Sequence, residues 1–114
     1  MEPYVKVARV HAALSYLCLV FVLLLAYLLS SDVGRADRAP LLYLGVMTLF
    51  MGVHHAVSRG ARAAKPWARV ASIVLSVMML PAIPLGTLIG GYLLFNNLPQ
   101  WRVTPSPLPG QAAP

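Results

Sequence analysis

The sequence predicts an all-α protein: an integral membrane helical bundle of four transmembrane helices, the third and fourth short and joined by a proline-rich turn. Three observations predict it. Of the 114 residues, 59% are hydrophobic and only 11% charged, where a soluble domain carries about a quarter charged residues. The apolar residues gather in runs long enough to cross or lie within a bilayer. The charges gather between those runs, where they decorate helix ends but could not coat a water-soluble globule. The length suits one helical domain over residues 1–98 and leaves no room for a second.

The first helix is expected over about residues 8–30. Its apolar part, 10–30, has no formal charge, and His11 sits at its start. About 20 residues at a rise of about 1.5 Å give roughly 30 Å, the thickness of a hydrocarbon core. Lys6 and Arg9 precede it, as basic residues precede a signal sequence. The run is longer than the roughly 7–15 apolar residues of such a sequence, and no convincing A-x-A site follows. It reads as a retained anchor. Residues 31–40 hold Asp32, Gly34, Arg35, Asp37 and Arg38. Their charges cancel, and the segment reads as a short polar loop. Asp37 or a neighbour is positioned to cap the next helix, with Pro40 in its first turn.

The second helix is expected over 41–58, followed by the basic segment 59–66, which ends in Pro66. Gly60 is a candidate helix end and Pro66 a candidate helix start. The last apolar stretch, 67–98, is too long for one straight span: about 48 Å against a core of about 30 Å. It is interrupted by Pro81 and Pro84. A proline inside a helix costs about 3 kcal/mol, because it removes a hydrogen bond and clashes one turn back. Two short helices, 66–80 and 85–97, are therefore expected. Three helices with a kinked last one are the alternative. Residues 99–114 hold five prolines and read as a flexible tail.

With four helices, one side carries both termini and Lys6, Arg9, Arg59, Arg62, Lys65, Arg69 and Arg102. The other side carries Arg35 and Arg38, offset by Asp32 and Asp37. The positive-inside rule then puts the N-terminus in the cytoplasm of a multi-pass protein of the cell membrane. Tyr4, Trp67 and Trp101 would form an inner aromatic belt, with Tyr27 and Tyr43 near the outer surface. The net charge of +6 is better matched by anionic lipid headgroups than by nucleic acid, because the basic residues flank apolar runs. Arg59, Arg62, Lys65 and Arg69 are the candidates for headgroup contact. The abundance of alanine, arginine and proline hints at a bacterial source.

Trp67-Ala68-Arg69, then Pro84-Leu85-Gly86-Thr87, then Gly91-Tyr92-Leu93-Leu94 resemble a W-A-R … P-x-G-T … G-x-Y pattern. That pattern is common in small bacterial inner-membrane proteins of unknown function. The resemblance covers about the last third of the chain. It departs from the pattern at Ile83, where an aromatic residue is usual, and in the proline-rich tail. It implies a membrane fold and a helical hairpin, and brings no activity, substrate or catalytic residue.

Small residues recur at helix-packing spacing. Gly86 and Gly90 form a G-x-x-x-G, Ser72 and Ser76 repeat that spacing, and Gly45 and Gly52 share a face of the second helix. Such residues let backbones approach closely in lipid. They serve packing within the monomer, or docking to a second copy or another membrane protein. His11, His54 and His55 are the candidate cofactor residues. They fall toward the inner ends of the first two helices, and imidazole pairs can ligate haem iron or other metals or relay protons. Interfacial packing is the plainer reading, and no cofactor is expected. Ser15 and Cys18 continue the stripe of His11, with Cys18 as an apolar filler. Thr48, Ser72, Ser76 and Thr87 can bond to carbonyls one turn back.

Glu2, Asp32 and Asp37 are the only acids and are too scattered for acid–base pairing. No phosphate loop, nucleophile elbow or zinc-protease helix is present. No enzyme is expected. The leading expectation is an accessory or interaction component of the membrane. A histidine-based haem, metal or proton function, or a subunit of a pore or transporter, stands behind it.

Overall fold

A computed structural model describes residues 1–31 and 38–101. These residues form four helices and no strand: α1 (Pro3–Ser30), α2 (Ala39–Arg62), α3 (Pro66–Met79) and α4 (Leu85–Asn97). The chain therefore breaks at the two prolines, as expected, and the three-helix alternative falls. The proposed cap at Asp37, the polar loop around it, Arg102 and nearly all of the tail lie outside the described residues.

Four helix bounds differ from the sequence reading, two of them, the start of α1 and the end of α2, by more than two residues. α1 begins at Pro3, because a proline has no N–H to leave unpaired in the first turn. The Glu2 carbonyl accepts the N–H groups of Val5 and Lys6 at 3.0 and 3.3 Å. α2 continues through Gly60 to Arg62, so that glycine does not end it. The stop is a Schellman motif centred on Ala64, whose φ is 49°. The Lys65 N–H bonds to the Gly60 carbonyl at 3.0 Å and the Ala64 N–H to the Ala61 carbonyl at 2.9 Å. These are the two bonds that satisfy the orphan carbonyls of such an end. Arg59 and Arg62 lie in this last turn and complement the helix dipole.

α1 and α2 are long and apolar enough to cross a membrane, at about 42 and 36 Å. They run antiparallel and pack along each other. α3 and α4 form an antiparallel hairpin of about 21 and 20 Å. The hairpin packs against one end of the α1–α2 pair, the basal end, which holds the N-terminus and the α2–α3 connection. The apolar core also sits there: Val7, Ala8, Ala61, Ala68 and Leu93, with Val10, Ile89 and Trp101 against it. Toward the distal end, α1 and α2 leave an open groove of about 470 Å³ between them, lined by Phe21, Leu24, Leu28, Tyr43 and Met47 among others.

Burial is inverted relative to a water-soluble fold. Among the described residues six buried side chains are hydrophobic and eight are polar. Large apolar side chains cover the outside, including Tyr16, Val20, Leu23, Leu42, Leu49 and Phe95.

The glycines divide into two groups. A Cβ on Gly90 would stand 2.6 Å from the Ser76 carbonyl, and one on Gly86 would meet the Met79 carbonyl and the Ala82 Cβ. These two therefore close the hairpin, together with buried Ser72 and Ser76. Gly45 and Gly52 face open space, so packing within the monomer is not their role. Gly60, expected as a helix end, instead admits the Trp67 ring and the Ala68 methyl.

Candidate functional site

On α1 the residues at 11, 15, 18, 22 and 25 repeat at helical spacing and form the least exposed stripe. Its basal members, His11 and Ser15, are buried. This stripe meets His54 of α2, and α3 closes over the pair with Ser72.

His11 Nδ1 lies 2.8 Å from His54 Nδ1, and the rings stack with centroids 5.1 Å apart. His11 Nε2 lies 2.8 Å from Ser72 Oγ. The Asn97 amide donates to Ser72 Oγ at 2.9 Å and to the Leu93 carbonyl at 2.7 Å. A polar chain thus runs His54–His11–Ser72–Asn97, with one member on each helix. Every member is at most 1% exposed. Two hydroxyls frame the histidines. Ser58 donates to the Ala8 carbonyl at 2.8 Å, and Ser15 donates to the Met51 carbonyl at 3.3 Å.

The bonds restrict the proton arrangement, by the donors and acceptors each group owns. Both amide hydrogens of Asn97 are used, so Ser72 Oγ is an acceptor toward it. Ser72 Oγ has one proton and a second lone pair, so it pairs with His11 Nε2 in either of two coupled arrangements. When Ser72 donates, His11 carries its proton on Nδ1 and donates to His54 Nδ1; when Ser72 accepts, His11 carries it on Nε2 and His54 Nδ1 donates. Asn97 Oδ1 is the one buried side-chain polar atom among the described residues without a partner.

The histidines predicted from sequence are only partly brought together. His11 and His54 meet; His55 is exposed and takes no part. Among the described residues no three His, Cys, Asp or Glu side chains converge. Two imidazole nitrogens sharing one zinc ion at about 2.0–2.1 Å stand about 3.3 Å apart. The 2.8 Å separation is that of a direct hydrogen bond. The back-bonding hydroxyls behave as expected at Thr48 and Ser76. Thr87 differs, because it reaches across the turn to the Leu80 carbonyl at 2.7 Å.

The basic residues also divide. Arg59, Arg62 and Lys65 are exposed, and Arg62 shares a recess of about 350 Å³ with Arg9. Arg69 is engaged within the chain. Its Nε and Nη2 donate to the carbonyls of Asn97 and Leu98 at 2.8 and 3.0 Å, capping α4. Trp101 lies 6.4 Å from Tyr4 and donates to the Asn96 carbonyl at 3.3 Å.

Asn97, and with it the link from α3 to α4, was not foreseen. The signal was an Asn-Asn pair ending an apolar run, where an amide is costly unless bonded. No family model, no curated protein and no solved structure matches this chain.

Proposed function

We propose that this chain is a small multi-pass integral protein of the bacterial inner membrane, acting as an accessory or interaction component and not as an enzyme. The inverted burial carries this reading. A soluble fold hides its large apolar side chains. Here α1 and α2 expose Tyr16, Phe21, Leu24, Leu42 and Leu49, while histidine, serine and asparagine fill the interior. In hydrocarbon that arrangement is the favourable one, since polar groups must find partners inside the protein. The basal cations Lys6, Arg9, Arg59, Arg62 and Lys65 would then meet anionic headgroups in the cytoplasmic leaflet.

Alkaline carbonate extraction, followed by crosslinking and native mass spectrometry in mild detergent, tests the reading. Retention in the membrane and a co-purifying protein or second copy are expected. Release into buffer would overturn the membrane assignment. A strictly monomeric particle without partners would overturn the interaction role.

The 2.8 Å contact between His11 and His54 favours a second reading, a proton-handling or cofactor-binding protein. Visible absorption and metal analysis of the purified protein, together with His11→Ala and His54→Ala variants, discriminate between the two.

A further inference from the structure

We infer that α3–α4 is a re-entrant hairpin: it enters the bilayer from the basal side and turns back near the mid-plane, so that its tip is a surface fitted to acyl chains. The inference rests on the membrane reading above and replaces four full crossings with two crossings and one half-crossing.

Register carries it first. His11 bonds to Ser72, so these residues share a level. From Ser72 to Leu80, where α3 has ended, a straight helix rises at most about 12 Å. From His11 to Ser30, the last residue of α1, the rise is about 28 Å. Any tilt of the hairpin lowers its tip further, so the tip falls short of the distal end by about 16 Å or more. From the basal side the same arithmetic agrees. Arg9 to Ser30 measures about 32 Å, which matches a hydrocarbon core of about 30 Å. Arg69 to Leu80 measures about 16 Å, or half of that core.

The chemistry of the turn carries it second. No charged residue stands between Arg69 and Trp101. Pro81, Ala82, Ile83, Pro84 and Leu85 are all exposed, Ile83 by 81%. A turn facing water would have no need of this composition. A turn in hydrocarbon must also satisfy its own backbone, because each unpaired group there costs several kcal/mol. Pro81 and Pro84 bring no N–H. The N–H groups of Leu80, Ala82 and Ile83 bond to Val77, Met79 and Pro81 at 3.3, 3.0 and 3.0 Å. Gly86 donates to Ala82 at 2.6 Å, and the Thr87 hydroxyl meets the Leu80 carbonyl.

The test uses single cysteines in a Cys18→Ala background of the full chain, in sealed proteoliposomes of one orientation. Ala63→Cys marks the basal connection, Ser31→Cys the distal end and Ala82→Cys the tip; all three positions are exposed. A membrane-impermeant maleimide is expected to label Ala63→Cys from one side and Ser31→Cys from the other. Ala82→Cys is expected to react at least about tenfold more slowly from either side, because the reagent is excluded and a thiol in apolar surroundings stays protonated. Detergent should restore its labelling. A fluorophore at position 82 should be quenched more by a spin label near the acyl-chain end than by one at the headgroup. Rapid labelling of Ala82→Cys from the Ser31 side would establish four full crossings and overturn the inference. Rapid labelling from the Ala63 side would place the hairpin outside the bilayer and overturn it as well. Labelling of Ser31→Cys and Ala63→Cys from one and the same side would overturn the two-crossing reading on which it rests.

Discussion

His11 Nδ1 and His54 Nδ1 share a single hydrogen at 2.8 Å, so two chemically identical atoms on neighbouring helices hold opposite roles. The other ring nitrogen of His11 lies against Ser72 Oγ, which accepts from Asn97. Proton placement at the α1–α2 contact is thus coupled to α3 and α4.

The first prediction is spectroscopic. Nitrogen-15 spectra of the imidazoles in lipid should show one of the two Nδ1 atoms protonated and the other not, as their 2.8 Å contact requires. Ser72→Ala removes the partner of His11 Nε2. It should therefore shift the balance between the two tautomer arrangements. Unchanged tautomers in Ser72→Ala would mean that the serine does not set the direction.

A second prediction concerns stability. His11→Leu preserves bulk but leaves His54 Nδ1 buried without its partner and takes one of two partners from Ser72 Oγ, which keeps Asn97. An orphaned group costs about 1–3 kcal/mol, and about 2 kcal/mol in total is expected, since cross-helix bonds in membranes measure nearer about 0.6 kcal/mol. Unfolding in mixed micelles, followed by Trp67 and Trp101 fluorescence, reads the loss. In a double-mutant cycle His11 and Ser72 should couple, whereas His55→Leu should stay near zero because His55 is exposed.

Much of this fold was legible in the sequence because its signals were local. Pro66, Pro81 and Pro84 act on their own backbone, and the three helix boundaries they implied appear within a residue. The 11–15–18 stripe is likewise a property of one helix, so His11 could be read as facing inward. What could not be read depends on partners distant in sequence. Which histidine, 54 or 55, turns toward His11 is set by the rotation of α2 about its axis, and a pair of adjacent residues gives no periodicity to decide it. Asn97 escaped notice because its partner Ser72 lies 25 residues away. Arg69 looked like a headgroup ligand because its acceptors are main-chain carbonyls, which every sequence contains. Gly60 misled for a related reason: its lack of a side chain serves the Trp67 ring and Ala68, while the helix stop falls on an alanine.

That division of the glycines gives a third prediction. A Cβ at residue 60 would lie 2.5 Å from Trp67 Cζ2 and 2.7 Å from the Ala68 Cβ. The Trp67 ring is half-exposed and can swing away, but Ala68 is fully buried and cannot. Gly60→Ala should therefore cost about 1–3 kcal/mol, as overpacking does. Gly45→Ala and Gly52→Ala meet nothing within 4 Å and should leave the monomer unchanged or gain up to about 1 kcal/mol of helix propensity. If either weakens a co-purifying complex, its face is the docking face.

The fourth prediction separates capping from headgroup contact at Arg69. The fork made by Nε and Nη2 on two carbonyls needs a planar guanidinium, which lysine does not supply. Hydrogen bonds from a charged donor are worth about 1.5–3 kcal/mol. Arg69→Leu should thus speed amide exchange in the last turn of α4, and Arg69→Lys should recover only part of the protection. If Arg69 served headgroups alone, lysine would restore it fully and exchange in α4 would not change.

The stop at Ala64 gives the last prediction, and it is a gain. Its φ of 49° is left-handed, a conformation that costs a residue with a Cβ about 1–2 kcal/mol and costs glycine almost nothing. Glycine is also the usual residue at this position of a Schellman motif. The motif's two bonds, from Lys65 and Ala64 to Gly60 and Ala61, involve only backbone atoms, so Ala64→Gly keeps both. Glycine widens the unfolded ensemble and loses part of the benefit. The net stabilisation should be about 0.5–1 kcal/mol, seen as a higher unfolding midpoint in micelles. The same substitution at Ala63, whose φ is −89°, relieves no strain and should destabilise. The pair of variants therefore tests the conformation of residue 64 and not glycine tolerance of the connection in general.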